Sequence, residues 1–186
     1  MGLDMYLYKK TYVQNWEHQK PAERHSITVK KGGKATNIKP ERIAYIVESV
    51  GYWRKANQIH KWMVDNVQDG ADDCKEYFVS EEKLKSLLDD VNEVLDASKL
   101  VKGKIKDGET REGGEWKPVM VDGEYIEDAS VAQDLLPAGE GFFFGSTGYD
   151  EYYIEDLKDT KKILSKLLAE LADKADYGSI YYTSSW

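Results

Sequence analysis

Leu3-Asp4-Met5-Tyr6-Leu7-Tyr8 near the start of the chain and Ile180-Tyr181-Tyr182-Thr183 near its end decide the fold reading. The first stretch partly alternates, the second is rich in aromatic and β-branched residues, and both read as strands. Strands at both ends of a chain whose middle carries helical spacing and hairpin signals imply an α+β fold. The expectation is a single domain, residues 1–186, with three or four helices on a small, mostly antiparallel sheet. The two terminal strands are candidates for pairing. A chain of 186 residues buries a sizeable core without disulfides or a structural metal.

Inward from the first strand, Ser26-Ile27-Thr28-Val29-Lys30 and Ala35-Thr36-Asn37-Ile38 flank Lys31-Gly32-Gly33-Lys34, a hairpin signal. Pro40 is placed to open a helix with Ile43, Ile46, Val47 and Val50 on its apolar face. From Tyr52 to Val67 the spacing is helical, with Tyr52, Ala56, Ile59, Met63 and Val67 as the apolar stripe. Ser80 reads as an N-cap, followed by a helix buried through Leu84, Leu87, Leu88, Val91 and Leu95. Trp116 to Val121, Asp122-Gly123 and Glu124-Tyr125-Ile126 read as a hairpin, with Pro118 on an edge strand. Phe142-Phe143-Phe144 reads as a short buried strand. A long helix is expected over about 150–175, with Tyr153, Leu157, Thr160, Leu164, Leu167, Leu168 and Leu171 as its stripe.

The charge is uneven. Residues 1–61 hold twelve Lys/Arg and five Asp/Glu, whereas residues 62–186 hold fourteen and twenty-nine. This gives an anionic partner a basic third to meet, while a sequence pI near 5.0 makes duplex nucleic acid a poor ligand. The lone Cys74 excludes an internal disulfide and fits a reducing compartment. With no apolar run of membrane-spanning length and no secretory start, the expected location is the cytoplasm.

Four residues are candidates for binding a ligand. Trp53, Asn57 and His60 share one flank of the expected helix, where an indole stacks on a base while an amide and an imidazole read its edge. Arg54 is positioned to neutralise a phosphate. Gly145-Ser146-Thr147-Gly148, before the long helix, offers backbone N–H groups to an anion but lacks the Lys of a phosphate-binding P-loop. Asp150, Glu151, Glu155 and Asp156 there read as capping and dipole complements. Asp65, Asp69, Gly70, Asp73 and Glu76 match parts of a calcium loop, but Val67 stands where a ligand is required. That segment reads as an acidic turn. No metal, no cofactor and no catalytic residue is expected, since no local motif joins Cys74 to His18, His25 or His60.

Met1-Gly-Leu-Asp-Met-Tyr-Leu7, Gly51-Tyr-Trp-Arg-Lys-Ala-Asn-Gln-Ile-His60, Asn66-Val-Gln-Asp-Gly70, Asp72-Asp-Cys74 and Gly141-Phe-Phe-Phe-Gly-Ser-Thr-Gly-Tyr-Asp-Glu151 together resemble a family of small proteins of tailed bacteriophages and prophages. Some similar phage proteins carry a phosphoglycerate kinase label; this chain is too short for a two-domain kinase and lacks the expected phosphate loop. The resemblance implies a phage accessory protein made in the bacterial cytoplasm, and it supplies no catalytic residues. The expected function is binding that antagonises a host defence, by sequestering a nucleotide-like signalling molecule. The alternatives are inhibition of a host protein through an acidic surface including Asp69, Asp72 and Asp73, and an enzyme acting on a nucleotide.

Overall fold

The structure is a computed structural model that describes residues 2–141, 144–172 and 178–186. Strand β1 (Asp4–Tyr12) is the hub of an antiparallel sheet. It is flanked by β4 (Tyr45–Arg54) on one side and β8 (Ser179–Ser185) on the other, with β5 (Tyr77–Val79) beyond β8. The terminal strands are therefore paired, with Leu7 opposite Tyr182 and Met5 opposite Ser184. The α+β expectation holds.

Alternation along β1 divides the sheet into two unlike faces. Leu3, Met5 and Leu7 are fully buried beneath a helical layer, together with Trp53 of β4 and Ile180 and Tyr182 of β8. That layer comprises α1 (Asn57–Asn66), α2 (Glu81–Ala97) and α4 (Glu151–Leu171), with the short α3 (Ser130–Leu135) against α2. Ser80 caps α2, its hydroxyl accepting from the Lys83 N–H at 3.3 Å. Leu84, Leu87, Val91 and Val94 of α2 meet Leu157, Leu164 and Leu167 of α4 in one core.

The segment between β1 and β4 carries a small hairpin, β2 (Lys30–Lys31) and β3 (Lys34–Ala35), with Gly32 and Gly33 at positive φ. It matches the expected turn but is far shorter than the flanking residues suggested. The helix expected from Pro40 is absent. Pro40–Arg42 makes one 3-10 turn, and Ile46, Val47 and Val50 belong to β4. The same strand takes Tyr52, Trp53 and Arg54 from the expected helix, so α1 begins only at Asn57.

The expected turn at Asp122-Gly123 is also displaced. Strands β6 (Leu100–Glu112) and β7 (Glu115–Ile126) form one long ribbon that turns at Gly113-Gly114, and Gly123 lies opposite Gly103 within it. A Cβ on Gly103 would sit 2.4 Å from the Tyr125 ring, so the ring's position requires glycine there. Pro118 lies in a two-stranded ribbon in which each strand has a free edge, as its missing N–H demands. Phe142 and Phe143 lie outside the described residues, as do residues 173–175 of the expected long helix. Phe144 is partly buried in a bend. Among the described residues no helix is long and apolar enough to cross a membrane.

Candidate functional site

The chain leaves β4 at Arg54 and enters α1 at Asn57, three residues later. Lys55 makes this corner with a φ of 62°, a left-handed conformation that is strained for a residue with a side chain. Its N–H donates to the Leu3 carbonyl at 2.8 Å, and its carbonyl accepts from the Asn57 N–H at 2.8 Å. Opposite, Gly145 packs directly on Lys55, where a Cβ would lie 3.1 Å from the Lys55 Cβ. A cleft of about 950 Å³ opens between this corner, the 145–148 loop, the start of α4 and a bulge of the ribbon. Arg54, Lys55, Lys106, Tyr152 and Asp156 are among its lining residues.

Trp53, Asn57 and His60 do not share the expected helix flank, because Trp53 belongs to β4 and only Asn57 and His60 lie on α1. Trp53 and Arg54 are successive strand residues and point to opposite faces. Trp53 is 4% exposed, and its indole N–H donates to the Thr160 hydroxyl of α4 at 2.9 Å. It is a core residue that reaches the groove at the β4 edge only by its margin. Arg54 is exposed and lines the cleft. Asn57 is buried and holds the loop. Its amide donates to the carbonyls of Phe144 (3.1 Å) and Ser146 (2.7 Å), and its carbonyl accepts from the Gly139 N–H (3.0 Å).

His60 is buried in a network of its own. Nε2 lies 3.0 Å from Asp72 Oδ2 and Nδ1 lies 2.7 Å from the Tyr182 hydroxyl. Ionised Asp72 is an acceptor only, so for the neutral imidazole the proton sits on Nε2 and Nδ1 accepts from Tyr182. The Trp186 indole donates to the other Asp72 oxygen at 3.1 Å. This network ties the last strand to α1 and shows no opening to the cleft lining.

Spacing found Arg54 and the 145–148 loop but missed Lys55 and Asp156, which also line the cleft. Lys55 lies in the middle of the quoted string but was assigned to a helix. Asp156 was read as a helix-start acid, although it stands three residues after Tyr153 and four before Thr160, both on the apolar stripe. In the fold it is partly buried and accepts from the Gln58 amide at 3.1 Å. Burial is the main cause that pushes its carboxyl up to about 6, partly countered by the Gln58 hydrogen bond. Asp150 is the true cap of α4, accepting from the N–H groups of Tyr152 (3.0 Å) and Tyr153 (3.2 Å). Those amides are therefore taken. No side chain caps α1, which begins beside Lys55 with no acid in its first turn.

Electrostatically the cleft is divided. Neither Arg54 nor Lys55 has an ion-pair partner among the described residues, whereas Lys106 is paired with Glu109 at 2.6 Å. The cationic corner therefore faces a carboxyl group able to exchange its proton near neutral pH. Of the acids of the expected acidic surface, Asp72 is engaged with His60 and Asp73 with Lys75 at 2.6 Å, while Asp69 is exposed. Asp65 pairs with Lys61 at 2.8 Å. Among the described residues no three His, Cys, Asp or Glu side chains converge to hold a metal ion.

The raised Asp156 carboxyl has a signed consequence. The folded chain takes up this proton near pH 6, whereas the unfolded chain does so only near its ordinary value of 3.8. Its stabilising contribution is therefore fully present below about pH 4 and is lost as the pH rises through 6. Asp156→Asn, permanently neutral and still able to accept from Gln58, should be more stable than the parent at pH 7.5 by about 1–3 kcal/mol. That gain should vanish near pH 4. Urea titrations across this range check it, and a gap independent of pH would refute the assignment. Comparison with protein families, with curated proteins and with solved structures finds none that matches this chain.

Proposed function

We propose that the chain is a binding protein whose cleft holds a nucleotide-like anion, and that it acts as a phage accessory protein by withholding that molecule from a host defence. The cleft carries this reading: two unpaired cations, Arg54 and Lys55, face a partly buried carboxyl group across a space large enough for a nucleotide. The cations suit phosphate. Asp156 and Gln58 suit the N–H groups of a base edge. Tyr152, 49% exposed in the lining, supplies the aromatic face that Trp53 cannot. The place of action rests on the resemblance of the quoted strings to phage proteins. Retention of Asp156 in a charged, destabilised state at neutral pH fits a site kept for binding at a cost in stability.

The test is incubation with a panel of nucleoside mono-, di-, tri- and cyclic phosphates, then gel filtration, denaturation and chromatography of what was retained. Recovery of an intact nucleotide is expected. Arg54→Ala and Lys55→Ala should keep the parent melting temperature yet each weaken retention by about ten- to a hundredfold, as expected for lost charge-assisted bonds of about 1.5–3 kcal/mol. Recovery of a new product would replace sequestration by catalysis. Failure to retain any member of the panel would remove the reading.

A further inference from the structure

The face of the sheet turned away from the helices is unusually aromatic. Alternation sends Tyr6 and Tyr8 of β1 outward, with Tyr52 of β4 opposite Tyr6 and Tyr181 of β8 opposite Tyr8. Phe78 of β5 continues the row opposite Tyr181. The Tyr6 and Tyr8 rings lie parallel within 4°, their centroids 5.7 Å apart. Tyr52 is 48% and Phe78 58% exposed, and the other three rings are partly exposed. Core packing does not explain this row, because the core lies on the other face. Exposed large rings gathered on one open surface mark a contact site.

Charge selects the partner. Lys10 stands 4.9 Å over the Tyr181 ring. At the β4 edge a groove of about 510 Å³ places Arg54, Lys162 and Lys166 beside Tyr52. Beyond the other end of β1 and β4, the connecting segment carries Lys30, Lys31, Lys34, Lys39 and Arg42, all exposed. Asp4 is engaged by the Tyr52 hydroxyl at 2.6 Å and Glu76 by Lys10, while the groove sets Asp156 and Asp159 beside its three cations. Flat rings bordered by cations match a strand of unpaired bases on a phosphate backbone. They do not match a second copy of the chain, which would bring a like-charged basic segment with it. The acidic excess of the chain lies largely in residues 62–186, which supply α2 and α4 of the helical layer as well as β5 and β8 of the sheet.

We infer that the open sheet face binds single-stranded nucleic acid, with bases stacked on Tyr6, Tyr8, Tyr52 and Tyr181 and phosphates held by Arg54, Lys162 and the basic segment 30–42. This surface meets the Lys55–Asp156 cleft along one border, where Arg54 and Asp156 line both.

The experiment is fluorescence anisotropy of the full chain with labelled oligo-dT and oligo-U of about twelve nucleotides, between about 50 and 200 mM salt. Binding of either is expected, weakening steeply with salt. Tyr8→Ala and Tyr52→Ala should each weaken it by about tenfold. Tyr8→Phe, which keeps the ring, should bind as the parent does. The triple charge reversal Lys30→Glu, Lys31→Glu, Lys34→Glu should flatten the salt dependence. Lys55→Glu in the cleft should leave oligonucleotide binding intact, which separates failure here from failure of the cleft reading. No binding at the lowest salt would overturn the inference. So would binding indifferent to removal of either ring, binding lost in Lys55→Glu, or sedimentation showing the face closed in a dimer.

Discussion

Trp53→Ala should destabilise the chain by about 3–5 kcal/mol, because the lost transfer energy of a buried indole adds to the cavity left behind. The ring lies where β4 meets α4. Its N–H is satisfied by the Thr160 hydroxyl, which in turn donates to the Asp156 carbonyl at 2.7 Å. Gly51, two residues earlier on the same face, approaches the same ring: a Cβ there would sit 3.3 Å from the Trp53 Cη2. The pocket is therefore closed on both sides and has little freedom to collapse. Trp53→Phe keeps most of the packing and loses the hydrogen bond, so about 1–2 kcal/mol is expected. Guanidinium denaturation of both variants measures the difference. A Trp53→Ala protein of nearly parental stability that had lost nucleotide retention would restore the indole as a ligand-facing group.

Why the sequence placed that indole on a helix is instructive. Tyr52, Ala56, Ile59 and Met63 do repeat at offsets of four, three and four, and the last three are fully buried, Ala56 just before α1 and the other two on it. Tyr52 joins the pattern by coincidence. The strand that owns it is an edge strand whose outer face is apolar and exposed, with Tyr45 and Val47 each more than half accessible. Such a strand shows no clean alternation of apolar and polar residues. A register shift between Leu7 and Tyr8 also disrupts the two-residue period near Val50. What remains visible is the β-branched density of Ile46-Val47 and Val50, and that alone argued against the helix drawn from Pro40.

The ribbon fails for a different reason. Gly113-Gly114 and Asp122-Gly123 are both good turn dipeptides, and local chemistry cannot choose between them. The choice is made by what each register buries. Turning at Gly113-Gly114 pairs Leu100 with Ile126 at the base of the ribbon, where both join the core. The long helices, with regular stripes and a Ser or Asp cap, were legible because one short-range period carries all their information. The candidate cleft was legible only in part. Its loop and Arg54 announced themselves by residue type, whereas Lys55 and Asp156 acquire their character from a backbone corner and a burial that no local spacing encodes.

Asn57→Asp should damage the cleft more than Asn57→Ala, although Asp is nearly the same shape. Asn57 is 2% exposed and serves both sides of the loop, donating to the Phe144 and Ser146 carbonyls and accepting from the Gly139 N–H. Alanine leaves these three backbone groups without their partner. At about 1–3 kcal/mol for an unsatisfied buried group, a net loss of about 2–4 kcal/mol is expected after local relaxation. Aspartate still accepts from Gly139, but it turns two attractive contacts into oxygen facing oxygen and buries a charge beside them. The aspartate variant should therefore melt below the alanine variant at pH 7.5. Acidification should recover part of the gap, since a protonated carboxyl can donate to one of the two carbonyls. Both variants should lose nucleotide retention, because the 145–148 wall of the cleft is set by Asn57. If Asn57→Asp retained parental stability and binding, the loop would owe its position to something other than this side chain.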